Sequence, residues 1–215
     1  MQHARRALVQ AKGLFGSDAP PADPQSPEQV YLRSTALTQR NLCFCAFWLQ
    51  LALSLSSAVI LVFSILGTPP PAPGQAGVVG LTRSLAFVGV ATAFTSTFFA
   101  HGFQSLAKKL VANGVVERGW LAANLLRNNM LSLVGLTATV IGLQASVGTL
   151  VGKTLATSLQ NPYGMASQQG LVSLDVFTLQ ASTNTLLAHV VALIFTNVML
   201  GIINKAPVTS TPSTA

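Results

Sequence analysis

The chain has 215 residues, of which 50% are hydrophobic and only 8% charged, and its formal charge is +7. A soluble globular domain carries about 25% charged residues, so this composition, with a mean hydropathy of +0.55, sets the chain apart from that class. The positive charge does not mark a nucleic-acid binder. The basic residues flank apolar runs and form no dense patch with interleaved aromatics.

Residues 1–16 contain Arg5, Arg6 and Lys12 and no acidic residue. That pattern fits either the remainder of an organellar targeting peptide or a basic arm lying on a membrane surface. Residues 17–29 follow with Pro20, Pro21, Pro24 and Pro27, a density that resists helix and sheet and reads as a linker. Residues 1–39 are therefore expected to form a basic arm and Pro-rich linker ahead of a membrane domain over 40–204, with a short polar tail at 205–215.

No Asp, Glu, Lys or Arg occurs between Arg40 and Arg83, Arg83 and Lys108, Arg127 and Lys153, or Asp175 and Lys205. Each gap holds an apolar run long enough to cross a bilayer, which takes about 20 helical residues. The runs lack the alternation of barrel strands, and in lipid the remaining way to satisfy the backbone is a helix. The sequence thus predicts an all-α polytopic membrane protein with four transmembrane helices in one bundle, at about 42–66, 84–103, 129–151 and 176–203. The last is longer than a bilayer requires, so it tilts or begins in the interface.

The connections differ in charge. The Pro-rich break at 67–80 and the turn-rich segment 154–174 carry only Arg83 and Lys153 near their ends, positions from which a long side chain snorkels. The stretch 104–111 with Lys108 and Lys109 reads as a short interfacial helix or a basic loop, interrupted by Asn113-Gly114. Ten basic residues precede the first span, lie between the second and third, or follow the fourth. The positive-inside rule puts both termini on that side. Trp48 and Trp120 fall near the expected interfaces.

Few groups carry chemistry. Cys43 and Cys45 lie two apart on a helix, so they point about 200° apart and neither chelate together nor pair. In the third span Gly142, Ser146, Gly148 and Gly152 are small and suit close helix packing, and Gln144 is expected to bond across helices. In the fourth, Asp175, Ser182, His189 and Thr196 recur every seven residues, with Gln180 and Asn184 near the same face. An intramembrane ionisable group faces protein or water, which makes His189 the leading candidate for a metal ligand or proton carrier, against a structural hydrogen-bonded histidine. Asp175 near the span end is expected to favour a helix N-terminus. His101 and Asp175 are placed at opposite membrane faces. No P-loop, H-E-x-x-H or paired C-x-x-C occurs, so no enzymatic activity and no bound cofactor are expected.

Two stretches, GLQASVGTLVGKTLATSLQNPYG at 142–164 and LDVFTLQASTNTLLAHVVALIF at 174–195, resemble the twenty-one-kilodalton subunit family of the translocon at the chloroplast inner envelope, also named permease in chloroplasts. FWLQLALSLSSAVILVFSI at 47–65 resembles that family's first span. The resemblance covers roughly residues 40–204 and implies a plastid inner-envelope protein with cyanobacterial relatives and its termini toward the stroma. It implies two competing functions. One is protein import, as a translocon-associated subunit in contact with other translocon subunits and precursor proteins. The other is an iron permease, with iron as the transported ion, or a regulator of plastid iron homeostasis. A membrane scaffold without transport activity fits the residues as well. Small helix faces suggest an oligomer.

Overall fold

The computed structural model describes residues 24–67, 76–160 and 169–207. The readings made for residues 1–16 and for most of the Pro-rich breaks lie outside the described residues. Among the described residues five helices follow in order: α1 (Pro27–Ser34), α2 (Ala36–Gly67), α3 (Ala76–Val111), α4 (Arg118–Gln160) and α5 (Gln169–Asn204). No strand occurs among the described residues. The four long helices each meet the length and hydropathy needed to cross a membrane.

Consecutive long helices run antiparallel and close into a ring in which α2 meets α3 and α5, α4 meets α3 and α5, and α3 touches α5 across the middle. The bundle is inside-out relative to a soluble protein. Phe98 is 71% and Phe63 69% exposed, whereas Ser54, Ser57, Ser96 and Asn128 are fully buried. Water rewards the opposite arrangement; lipid tails reward this one, since they solvate apolar side chains and leave polar ones to bond between helices. Small residues bring the backbones together, with Ala93, Ala100, Ala181, Ala188 and Ala192 all in the interior.

One end of the bundle has an apolar plug. Ser26 caps α1 by accepting from Gln29 N, Pro27 sits in the first turn where its missing N–H costs nothing, and Arg33 closes the last turn. Leu32 and Ala36 then pack with Leu110, Val116, Leu121, Leu125 and Ile203. The buried Gln29 side chain donates from Nε2 to Val116 O at 2.8 Å and accepts from Val116 N at 3.4 Å. Arg33 reaches Asn113 O at 2.8 Å, and Arg118 reaches Ala206 O at 3.1 Å. Residues 29, 116 and 206 therefore share one end.

The structure redraws several boundaries. Part of the arm expected over 1–39 is α1 and the start of α2, because proline in a helix's first turn starts it and does not break it. Residues 104–111 are the last turns of α3, continuous with its span. The helix stops where Asn113 takes a positive φ of 61° and Gly114 N bonds back to Lys109 O at 2.8 Å. A Cβ on Gly114 would meet that carbonyl at 2.8 Å. Helices α4 and α5 also run into the 154–174 segment from either side.

Candidate functional site

Buried polar groups from all four long helices line the bundle axis in layers. In the central layer His189 of α5 is fully buried, its Nε2 lying 3.1 Å from Gly89 O and 3.4 Å from Thr92 Oγ1 on α3. A carbonyl only accepts, so Nε2 carries the proton, and the lone pair of the neutral ring is on Nδ1. That nitrogen has no partner among the described residues. Gly135 of α4 makes room for the ring: a Cβ there would run into both the imidazole and Thr92 Oγ1. Gly89 does the same for Thr139 and Thr185.

Toward the α1 end, Ser96 donates to Gln50 Oε1 at 3.2 Å and lies 3.3 Å from Ser132 Oγ, joining α2, α3 and α4. One turn further, Asn128 Nδ2 donates to Thr196 Oγ1 at 3.1 Å. Gln50 Nε2 and Asn128 Oδ1 are buried without a partner among the described residues. From residue 128 to residue 139 the column is about 16 Å long at 1.5 Å per residue. Toward the other end Ser57 donates to Ala181 O at 2.9 Å, and Ser64 pairs with Thr178. A crevice among Leu61, Ala86, Val90, Thr139, Ala181, Ser182 and Thr185 has no room for a water molecule. That crevice is packed shut, and the polar groups around the axis chiefly tie helix to helix.

The residues singled out in the sequence divide. His189, Thr196 and Ser182 face inward, as their seven-residue spacing suggested. Asp175 does not serve a helix N-terminus, since α5 begins six residues earlier at Gln169. It forms an ion pair with Lys153 of α4 at 2.8 Å. Gln180 is exposed and donates to Asn184 Oδ1 at 3.0 Å, and Asn184 in turn donates to Ser56 Oγ of α2 at 3.3 Å. Gln144 does not bond across helices within the chain: it is exposed on the outer face of α4, with no hydrogen bond among the described residues. Gly142 and Ser146 are buried, and a Cβ on Gly142 would meet Leu85 Cβ at 3.2 Å. Gly148 and Gly152 look outward with nothing within 4 Å of a built Cβ.

Cys43 is buried and Cys45 exposed, in keeping with their spacing. The His101 ring lies 5.3 Å from that of Phe47, toward the end opposite Asp175. No three His, Cys, Asp or Glu side chains come together among the described residues. Gln50, Ser96, Asn128 and Ser132 were not foreseen. On α2 a signal was present, because Gln50, Ser54, Ser57 and Ser64 repeat at helical spacing on one face.

A family model described as "Protein of unknown function (DUF3611)" matches residues 29–204. The chain belongs to this family. The match takes in α1 from Gln29 onward, the four long helices and the whole polar column. Protein TIC 21, chloroplastic, of Arabidopsis thaliana is 34% identical over 171 residues, which is 76% of this chain and 55% of that protein. The resemblance carried by 142–164 and 174–195 is thereby borne out, although the chain spans only about half the length of this relative. No solved structure matches the chain.

Proposed function

We propose that this DUF3611 protein is a plastid inner-envelope membrane protein acting in chloroplast protein import as a translocon-associated subunit. The observation that carries the reading is the 34% identity with Protein TIC 21, chloroplastic. The geometry favours it over a conduit through the bundle, because the crevice between α2, α3, α4 and α5 has no room for water and the ring of His189 is tied to Gly89 O. Four helices around a shut axis give a subunit that works through its surfaces. The basic end, with Lys108, Lys109, Arg118 and Lys205, then faces the stroma by the positive-inside rule.

A second reading, iron permease or iron-homeostasis regulator, draws on the buried unpartnered atoms His189 Nδ1, Gln50 Nε2 and Asn128 Oδ1. Under it, these atoms mark a path that opens in another conformation.

The two separate in isolated plastids that carry a tagged copy of the chain. Under the import reading, a precursor arrested midway through the inner envelope co-purifies with the tag, and depleting the chain slows import several-fold at unchanged plastid iron. Absence of the precursor, unchanged import and a fall in plastid iron would favour the permease instead.

A further inference from the structure

Three contacts fix the antiparallel register of α4 and α5. Asn128 meets Thr196, Gly135 meets His189, and Thr139 lies with Thr185 against Gly89. Each step toward the C-terminus of α4 is matched by one toward the N-terminus of α5, so residue 144 stands at the depth of residue 180. Both are glutamines and both are exposed, on different sides of the bundle. Gln144 is on the outer face of α4. Gln180 belongs to the seam between α5 and α2, where its Nε2 donates to Asn184 and Asn184 donates to Ser56.

Both amides lie in apolar surroundings, beside exposed Ile141 and Val147 on α4 and exposed Val176 and Phe177 on α5. Gln180 is about 7.5 Å further along the helix than Asp175, five residues at 1.5 Å each. An amide facing lipid lacks the partners that water supplies, and a neighbouring helix that offers them is favoured. Copies inserted in the same sense are related by rotation about the membrane normal. Residues that meet between them must therefore share a depth, and the two glutamines do.

We infer that copies of this chain associate head to tail, with Gln144 of one docked on the Gln180–Asn184 pair of the next. The carboxamides are complementary, since among the described residues Gln144 has both donors and acceptor free and Gln180 Oε1 is left to accept. One turn from Gln144, Gly148 has open space where a Cβ would stand, so a second backbone approaches without obstruction. Because the two faces differ, the contact is heterologous, and it forms a ring where the rotation closes. The inference does not depend on the import reading.

Cross-linking of the full chain in its membrane tests it. In a background of Cys43→Ala and Cys45→Ser, Gln144→Cys and Gln180→Cys copies with different tags are co-expressed and oxidised. The expected result is a disulfide dimer containing both tags, with neither variant alone cross-linking above background. A dimer from Gln144→Cys alone, or no cross-link in any combination, would overturn the head-to-tail contact. As a second readout without cysteines, Gly148→Leu is expected to reduce the oligomer seen by native mass spectrometry to monomer. Gly102→Leu, at another open helix surface, leaves it intact. Equal oligomer content in the two would likewise overturn the inference.

Discussion

Gly135→Val is expected to destabilise the bundle more than any other single glycine replacement in it. The new Cβ would occupy space held by Thr92 Oγ1 and the His189 ring. Neither neighbour yields cheaply. Thr92 Oγ1 is 2.7 Å from Val88 O and 2.9 Å from Gly89 O, and His189 is bonded to Gly89 O. Overpacking a closed interior costs about 1–3 kcal/mol, and a displaced buried hydrogen bond adds about 1 kcal/mol, so a loss near 3 kcal/mol is expected. Reversible unfolding in mixed detergent micelles measures it, with Gly102→Val as the control. That control has open space around the new side chain and should stay within about 0.5 kcal/mol of the parent. Equal stability of the two variants would mean that α3, α4 and α5 do not meet as closely as described.

Gln29→Leu is expected to release the plug at the α1 end. The side chain is buried and satisfies both backbone groups of Val116. Leucine fills the space but leaves a donor and an acceptor unpaired, each worth about 1–3 kcal/mol when buried. Water close by at this end limits the net loss to about 2 kcal/mol, which corresponds to roughly thirty-fold faster local opening. Amide hydrogen exchange at Val116 and across α1 should accelerate by that factor, while exchange around His189 stays as it was. Unchanged exchange at Val116 would show that the apolar contacts of Leu32 and Ala36 hold the plug without the amide.

The contrast between His189 and Gln144 shows what the sequence makes legible. The four spans are plain because lipid forbids charge over a fixed length, and that signal is local. The inward face of α5 is also readable, since Ser182, His189 and Thr196 keep to one side at seven-residue spacing. On α4 the polar residue is the misleading one. Gln144 lies two residues from buried Gly142 and from buried Ser146, about 200° around a helix from each, so those small residues were the truer guide to the interior. Gly148 and Gly152 look like a packing motif in sequence, but their place on the outer surface depends on where the other three helices lie. Asp175 found a partner in Lys153 that only the antiparallel fold brings near. The clamp of Gln29 on Val116 joins residues 87 apart in the chain, a distance at which local pattern carries no information.

The polar axis of the bundle serves to hold helices together. Ferrous-iron flux into proteoliposomes, measured for the parent chain and for His189→Ala after both are verified as folded and inserted, tests this most directly. Neither protein is expected to raise flux above that of protein-free vesicles. Flux that depends on the parent chain and disappears in His189→Ala would contradict it, and would make the column from Asn128 to His189 part of a transport path.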